Sequence, residues 1–154
     1  METETDKNRI KDELTTTAMI ACSILTTEWN ETNMKAAIVS IFAMLKVCDE
    51  ELENSTYTRG KLTVKFVDRG FAKCAPWSGR LEFGPNILEN ALTAESFGYA
   101  REKAFIRRRC KTRVQGMIWL VLHEYCHLFT NRIRHCKSFY EFVDSKFEKF
   151  FKNF

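Results

Sequence analysis

The segment VQGMIWLVLHEYCHLF, residues 114 to 129, constrains this chain more than any other. It is apolar for long enough to form a buried helix, yet it carries His123, Glu124 and His127 in the arrangement H-E-x-x-H. On a helix, positions i and i+4 differ by about 40° in direction and about 6 Å along the axis, so His123 and His127 project together and can share one ion. Glu124 cannot easily bind that ion itself, but it can hold and deprotonate a water beside it. The bland alternative is a pair of core-facing histidines that happen to bracket a glutamate. At average histidine usage such a match arises by chance in fewer than about one chain in a hundred of this length. The uncharged neighbours Val121, Leu122, Tyr125, Cys126, Leu128 and Phe129 suit a buried helix that aims its ligands rigidly.

A catalytic zinc usually has three protein ligands and one open position for water. The chain's third histidine, His135, is the natural candidate. If the helix ran on unbroken from His127, that ring would sit about 12 Å further along the axis, out of reach of a shared zinc. The helix must therefore break within LFTNRIR, and Asn131 is the residue best suited to a left-handed C-terminal turn. Two side chains compete for the third place. Glu141 would give a two-His, one-Glu site, but with Ser138 it also reads as a capping box for the last helix. Cys136 would be a good thiolate ligand, though a thiolate is less usual in hydrolytic sites. Cys126, turned about 100° from His127, reads as a core residue.

The rest of the chain supplies a scaffold. Residues 9 to 28 are helix-like, weakened by the run Thr15, Thr16, Thr17; Asn30 then caps a second helix with Met34, Ile38, Ile41, Leu45 and Cys48 on one stripe. KLTVKFV (61 to 67) alternates as a half-buried strand, FAKCAPW offers a second, and SGRLEF a third. Asn86 can cap a short helix. SFYEFVDSKFEKFFKNF places Phe139, Val143, Phe147, Phe150 and Phe154 along a terminal helix that starts directly after His135. The expected fold is α+β, a single domain over residues 1–154: two N-terminal helices, a small sheet of about three strands, the H-E-x-x-H helix and a C-terminal helix.

At 154 residues, 45% hydrophobic and with 13 Phe, the chain is expected to bury a core without disulfides. Six cysteines lie singly, with no CxxC pair, and the polar N-terminus METETDKNRIKDEL lacks the features of a secretory signal. An intracellular setting, cytoplasmic or nuclear, with reduced thiols is expected, or a host cell if the source is a virus, and no membrane segment is read. The net charge of +4 does not identify a nucleic-acid binder. The basic stretch containing Arg107, Arg108, Arg109, Lys111 and Arg113 is the one support for such a partner, against the plainer reading as a solvated helix face or loop.

HEYCH, then His135 in HCKSFY, with GRLEFGPNIL upstream, resembles the SprT-like zinc metalloproteases over residues 34 to 143. The resemblance implies a minimal zinc endopeptidase with one Zn2+ per chain on His123, His127 and His135, and Glu124 as general base. It implies protein substrates, DNA-associated proteins among them, held along an exposed edge strand, which the sequence places at Arg80 to Phe83. Tyr140 or Tyr125, the nearest tyrosines, would help stabilise the oxyanion. The rival reading is a non-catalytic zinc-stabilised module that binds nucleic acid or protein, its metal closed by a fourth protein ligand.

Overall fold

The computed structural model describes residues 2–54, 62–89, 99–129 and 134–154, and the fold is α+β. It divides into two compact units, Met1–Leu52 and Glu53–Phe154. No helix among the described residues is long and apolar enough to cross a membrane.

The first unit is a helical hairpin of α1 (Glu4–Thr27) and α2 (Glu31–Cys48). Thr3 starts α1 five residues ahead of the apolar pattern, through a reciprocal capping box with Asp6. The threonine run does not break the helix, because Thr15 and Thr17 return their hydroxyls to the carbonyls of Lys11 and Glu13 at 2.8 and 2.9 Å. Asn30 caps α2 as expected, its side chain accepting from the Asn33 N–H at 2.9 Å. Cys48, at the end of α2, meets Lys11 and Thr15 in the N-terminal half of α1, so the helices run antiparallel.

The second unit contains the histidines. Its sheet comprises β1 (Thr63–Phe66), β2 (Ala72–Ala75) and β3 (Arg80–Phe83), in the order β1-β3-β2. β3 pairs parallel to β1, Thr63 opposite Arg80, and antiparallel to β2, Ala72 opposite Phe83. Arg80 to Phe83 is thus the central strand and not the expected edge. Its alternation of buried Leu81 and Phe83 with half-buried Arg80 and Glu82 reports two faces, and faces say nothing about neighbours. A three-ten turn, Pro76–Ser78, joins β2 to β3 through left-handed Gly79 at φ 66°. Gly84 must lack a side chain, because a Cβ there would stand 2.2 Å from the Gly70 carbonyl oxygen.

Four helices complete this unit: α3 (Asn86–Glu89), α4 (Ala100–Arg109), α5 (Arg113–Cys126) and α6 (Lys137–Phe151). α4 turns the basic stretch into a helix, the element that sequence patterning left open between helix and loop. Thr112 and Gln115 form a capping box that starts α5, and twelve of its fourteen residues are buried. α6 lies on α5 through Phe139, Tyr140, Val143, Phe147 and Phe151. Its start departs from expectation. Cys136 is the N-cap without a side-chain bond, Ser138 turns its hydroxyl to the Cys136 thiol at 3.1 Å, and Glu141 faces Lys137, so the capping box does not form.

Candidate metal centre

α5 ends at Cys126, earlier than the break that the distance to His135 demands. The N–H groups of His127, Leu128 and Phe129 fold back onto the carbonyls of Glu124, Tyr125 and Cys126 at 3.1 to 3.2 Å, a tight three-ten closure. His127 keeps helical backbone angles as the C-cap, so it still projects beside His123. Asn131 lies outside the described residues. The chain returns at Arg134, and His135 stands just before α6.

The fold-back brings the three rings together. His135 Nε2 lies 3.0 Å from Nε2 of His123 and 3.0 Å from Nε2 of His127. The ligand atoms of all three lie within 4.8 Å of one another. Zinc–nitrogen bonds of about 2.1 Å at tetrahedral angles place donor atoms about 3.4 Å apart, so the two His135 separations would widen slightly to take an ion, within a set that spans no more than 4.8 Å. Phe139 braces the cluster, stacked on His127 at 4.4 Å and edge-on to His123 at 5.2 Å.

Protonation fits the same group. Glu102, on α4, accepts from His123 Nδ1 at 2.5 Å and from the Trp119 indole N–H at 2.9 Å with one oxygen, while its other oxygen accepts the Tyr99 N–H at 3.3 Å. Burial alone would raise the Glu102 carboxyl, but the hydrogen bond and charge of His123, with the bonds from Trp119 and Tyr99, outweigh it and hold it below its ordinary range. An ionised Glu102 fixes the proton of His123 on Nδ1, which leaves the Nε2 lone pair facing the other two rings. Nε2 atoms 3.0 Å apart suit either an N–H donated from one ring to a neighbouring lone pair or a cation held among the lone pairs, and burial holds His135 below its ordinary range, in the neutral form that can bind a metal.

Glu124 sits on the wall of a cleft of about 490 Å³ that opens onto the histidines. Burial pushes its carboxyl up, opposed by the charge of His123 and assisted by that of Glu102. Neither competitor for the metal joins the cluster: Glu141 is 57% exposed beside Lys137, and Cys136 meets Ser138. Cys74, across the cleft, is held as a neutral thiol, pushed up to about 12 by burial and by the charge of Glu124. Among the described residues the group is three histidines with one face toward the cleft.

Two residues escaped the sequence reading. Glu102 is one; its signal was Trp119 and His123 at spacing i, i+4, two ring donors on one helix face that together require a buried acceptor. Tyr99 is the other, lining the cleft with its ring stacked on His135 at 4.4 Å. Of the tyrosines singled out from sequence, Tyr140 does stand beside the histidines, its ring 6.3 Å from that of His135 and 6.2 Å from that of His123, but it does not line the cleft. Tyr125 is fully buried against Phe129, and the Tyr140 hydroxyl is buried without a hydrogen-bond partner among the described residues. In the basic stretch, Arg109 forks onto Asp144 and Glu148 of α6, Arg108 reaches Asp144, and Lys111 donates to the Arg107 carbonyl.

Comparison with protein families, with curated proteins and with solved structures gives no match to this chain.

Proposed function

We propose that this chain is a zinc-dependent endopeptidase of the H-E-x-x-H type, similar in its site to the SprT-like enzymes. The observation that carries the reading is the convergence of three Nε2 atoms beside Glu124, at the wall of an open cleft. When bound, zinc supplies Lewis acidity, acidifying a water and polarising the carbonyl that it meets. Glu124 takes the proton of that water on a carboxylate oxygen and delivers it to the departing amine nitrogen. Glu102 keeps the His123 ring oriented and in the Nδ1–H form throughout.

The substrate in this reading is an extended protein segment. β2, not β3, has an unpaired edge among the described residues, and Ala72, Lys73 and Cys74 of β2 line the cleft. Backbone pairing to that edge imposes little sequence preference. DNA-associated proteins are a natural class if the exposed members of the basic stretch contact nucleic acid. The anchoring of Arg109 and Arg108 to α6 weakens that extension and gives the stretch a structural role.

A zinc module without catalysis is the competing reading. The open fourth face and the carboxylate beside it favour hydrolysis, since a purely structural site is normally closed by a fourth protein ligand. The test has two steps: metal analysis, expected at one zinc per chain, then digestion of unfolded casein by wild type and Glu124→Gln. The variant should keep its zinc and lose at least about 100-fold in rate. Cleavage at the wild-type rate would exclude the mechanism, and an inert wild type would favour the module.

A further inference from the structure

Amide hydrolysis needs a donor for the oxygen that gains negative charge as water adds to the carbonyl carbon. Among the described residues lining the cleft, Tyr99 carries the only hydroxyl. Other donors there are poorly suited. The Lys73 side chain is 76% exposed and turns to Glu82 at 3.6 Å. Cys74 is a neutral thiol and a weak donor. Trp77 stands out in solvent on the turn after β2.

Tyr99 lies against the histidines instead, its ring stacked on His135 and 6.5 Å from the ring of His123. Its backbone is held as well, because the Glu102 carboxylate that accepts the Tyr99 N–H also accepts from His123 Nδ1. One buried side chain thereby ties the backbone of Tyr99 to His123, and the ring of Tyr99, a residue 56% exposed, is placed by its stack on His135.

We propose that Tyr99 is a catalytic residue whose hydroxyl donates a hydrogen bond to the carbonyl oxygen of the scissile amide as that oxygen becomes negative. The proposal rests on the hydrolytic reading above. As the water oxygen bonds to the carbonyl carbon, the C=O π pair moves onto oxygen and Glu124 takes the proton. The Tyr99 proton stays on Tyr99. When the tetrahedral centre collapses, the pair returns, the C–N bond breaks and the amine leaves with the proton from Glu124.

The test is Tyr99→Phe in the full, zinc-loaded chain, with three readouts: zinc content, kcat and KM on unfolded casein, and affinity for a phosphinic peptide that mimics the tetrahedral centre. The expected result is full zinc, unchanged KM, a kcat about 100-fold lower and weaker phosphinate binding. Wild-type kcat in the variant would overturn the proposal. So would a loss of activity that tracks a loss of zinc, which would reduce the ring to a support for His135. A zinc-loaded wild type that neither cuts casein nor binds the phosphinate would instead remove the hydrolytic reading itself, and this proposal with it.

Discussion

Glu102 holds His123 from a different helix, accepting from its Nδ1 at 2.5 Å with the same oxygen that takes the Trp119 indole N–H. The orientation of the His123 ring is therefore set by α4 as much as by α5. Glu102→Gln keeps the shape of the side chain but removes the charge and leaves one of its three donors facing an amide N–H. Zinc affinity should fall by about 10- to 100-fold, measured by competition with a chromophoric chelator. Equal affinity in variant and wild type would show that the bond does not tune the site.

Acid titration of the metal-free protein should separate the two buried glutamates. Glu102 is lowered in the folded state, so its contribution to stability is complete above its ordinary 4.5 and is lost as pH falls through the folded value. Glu124 is raised, so the folded state binds the extra proton, and its burden appears as pH rises from 4.5 through the folded value. At pH 7, metal-free Glu102→Gln should melt below wild type and Glu124→Gln above it. Both gaps should close on acidification, as read by thermal unfolding between pH 7 and pH 3. Gaps that stay constant with pH would contradict the assignment.

Gly84→Ala should be among the most damaging single changes outside the site. The new Cβ would meet backbone, the Gly70 oxygen at 2.2 Å and the Arg69 oxygen at 2.5 Å, which no rotamer change can relieve. The strand ends would have to separate, at a cost of about 2 to 4 kcal/mol in chemical denaturation.

Arg109→Ala should destabilise more than Arg108→Ala. Arg109 is 25% exposed and bridges Asp144 and Glu148, whereas Arg108 is 60% exposed, with one ion pair to Asp144 and its guanidinium over the Phe105 ring. After allowance for solvent screening, about 1 kcal/mol is expected for Arg109, diminishing in high salt, and about zero for Arg108. Equal effects would mean that the α4–α6 bridge contributes nothing.

The helices bearing apolar stripes were legible in the sequence, because Met34 to Leu45 and Phe139 to Phe147 repeat with the helical period. So was the clustering of the three histidines, since the spacing of His123 and His127 sets them side by side on a helix and the distance to His135 calls for a break. The order of the strands was not: four alternating residues in Arg80–Phe83 look the same at the centre of a sheet as at its edge. α4 was obscured by five basic residues among its ten, and its buried Glu102 acquires meaning only from α5 packed beside it. Within α6, Tyr140 and Phe151 are buried where patterning favoured Phe150 and Phe154, a shift of one residue around the helix.

The early end of α5 has an electrical consequence. Backbone dipoles along this helix sum toward a negative pole at its C-terminus, where His127 is the cap. A cation held by the histidines sits at that pole and gains about 0.3 to 1 kcal/mol, whereas a bare anion there is repelled. Phosphate or sulfate should therefore avoid this cleft in the metal-free chain and enter it only after loading, so that anion binding becomes a simple gauge of metal occupancy.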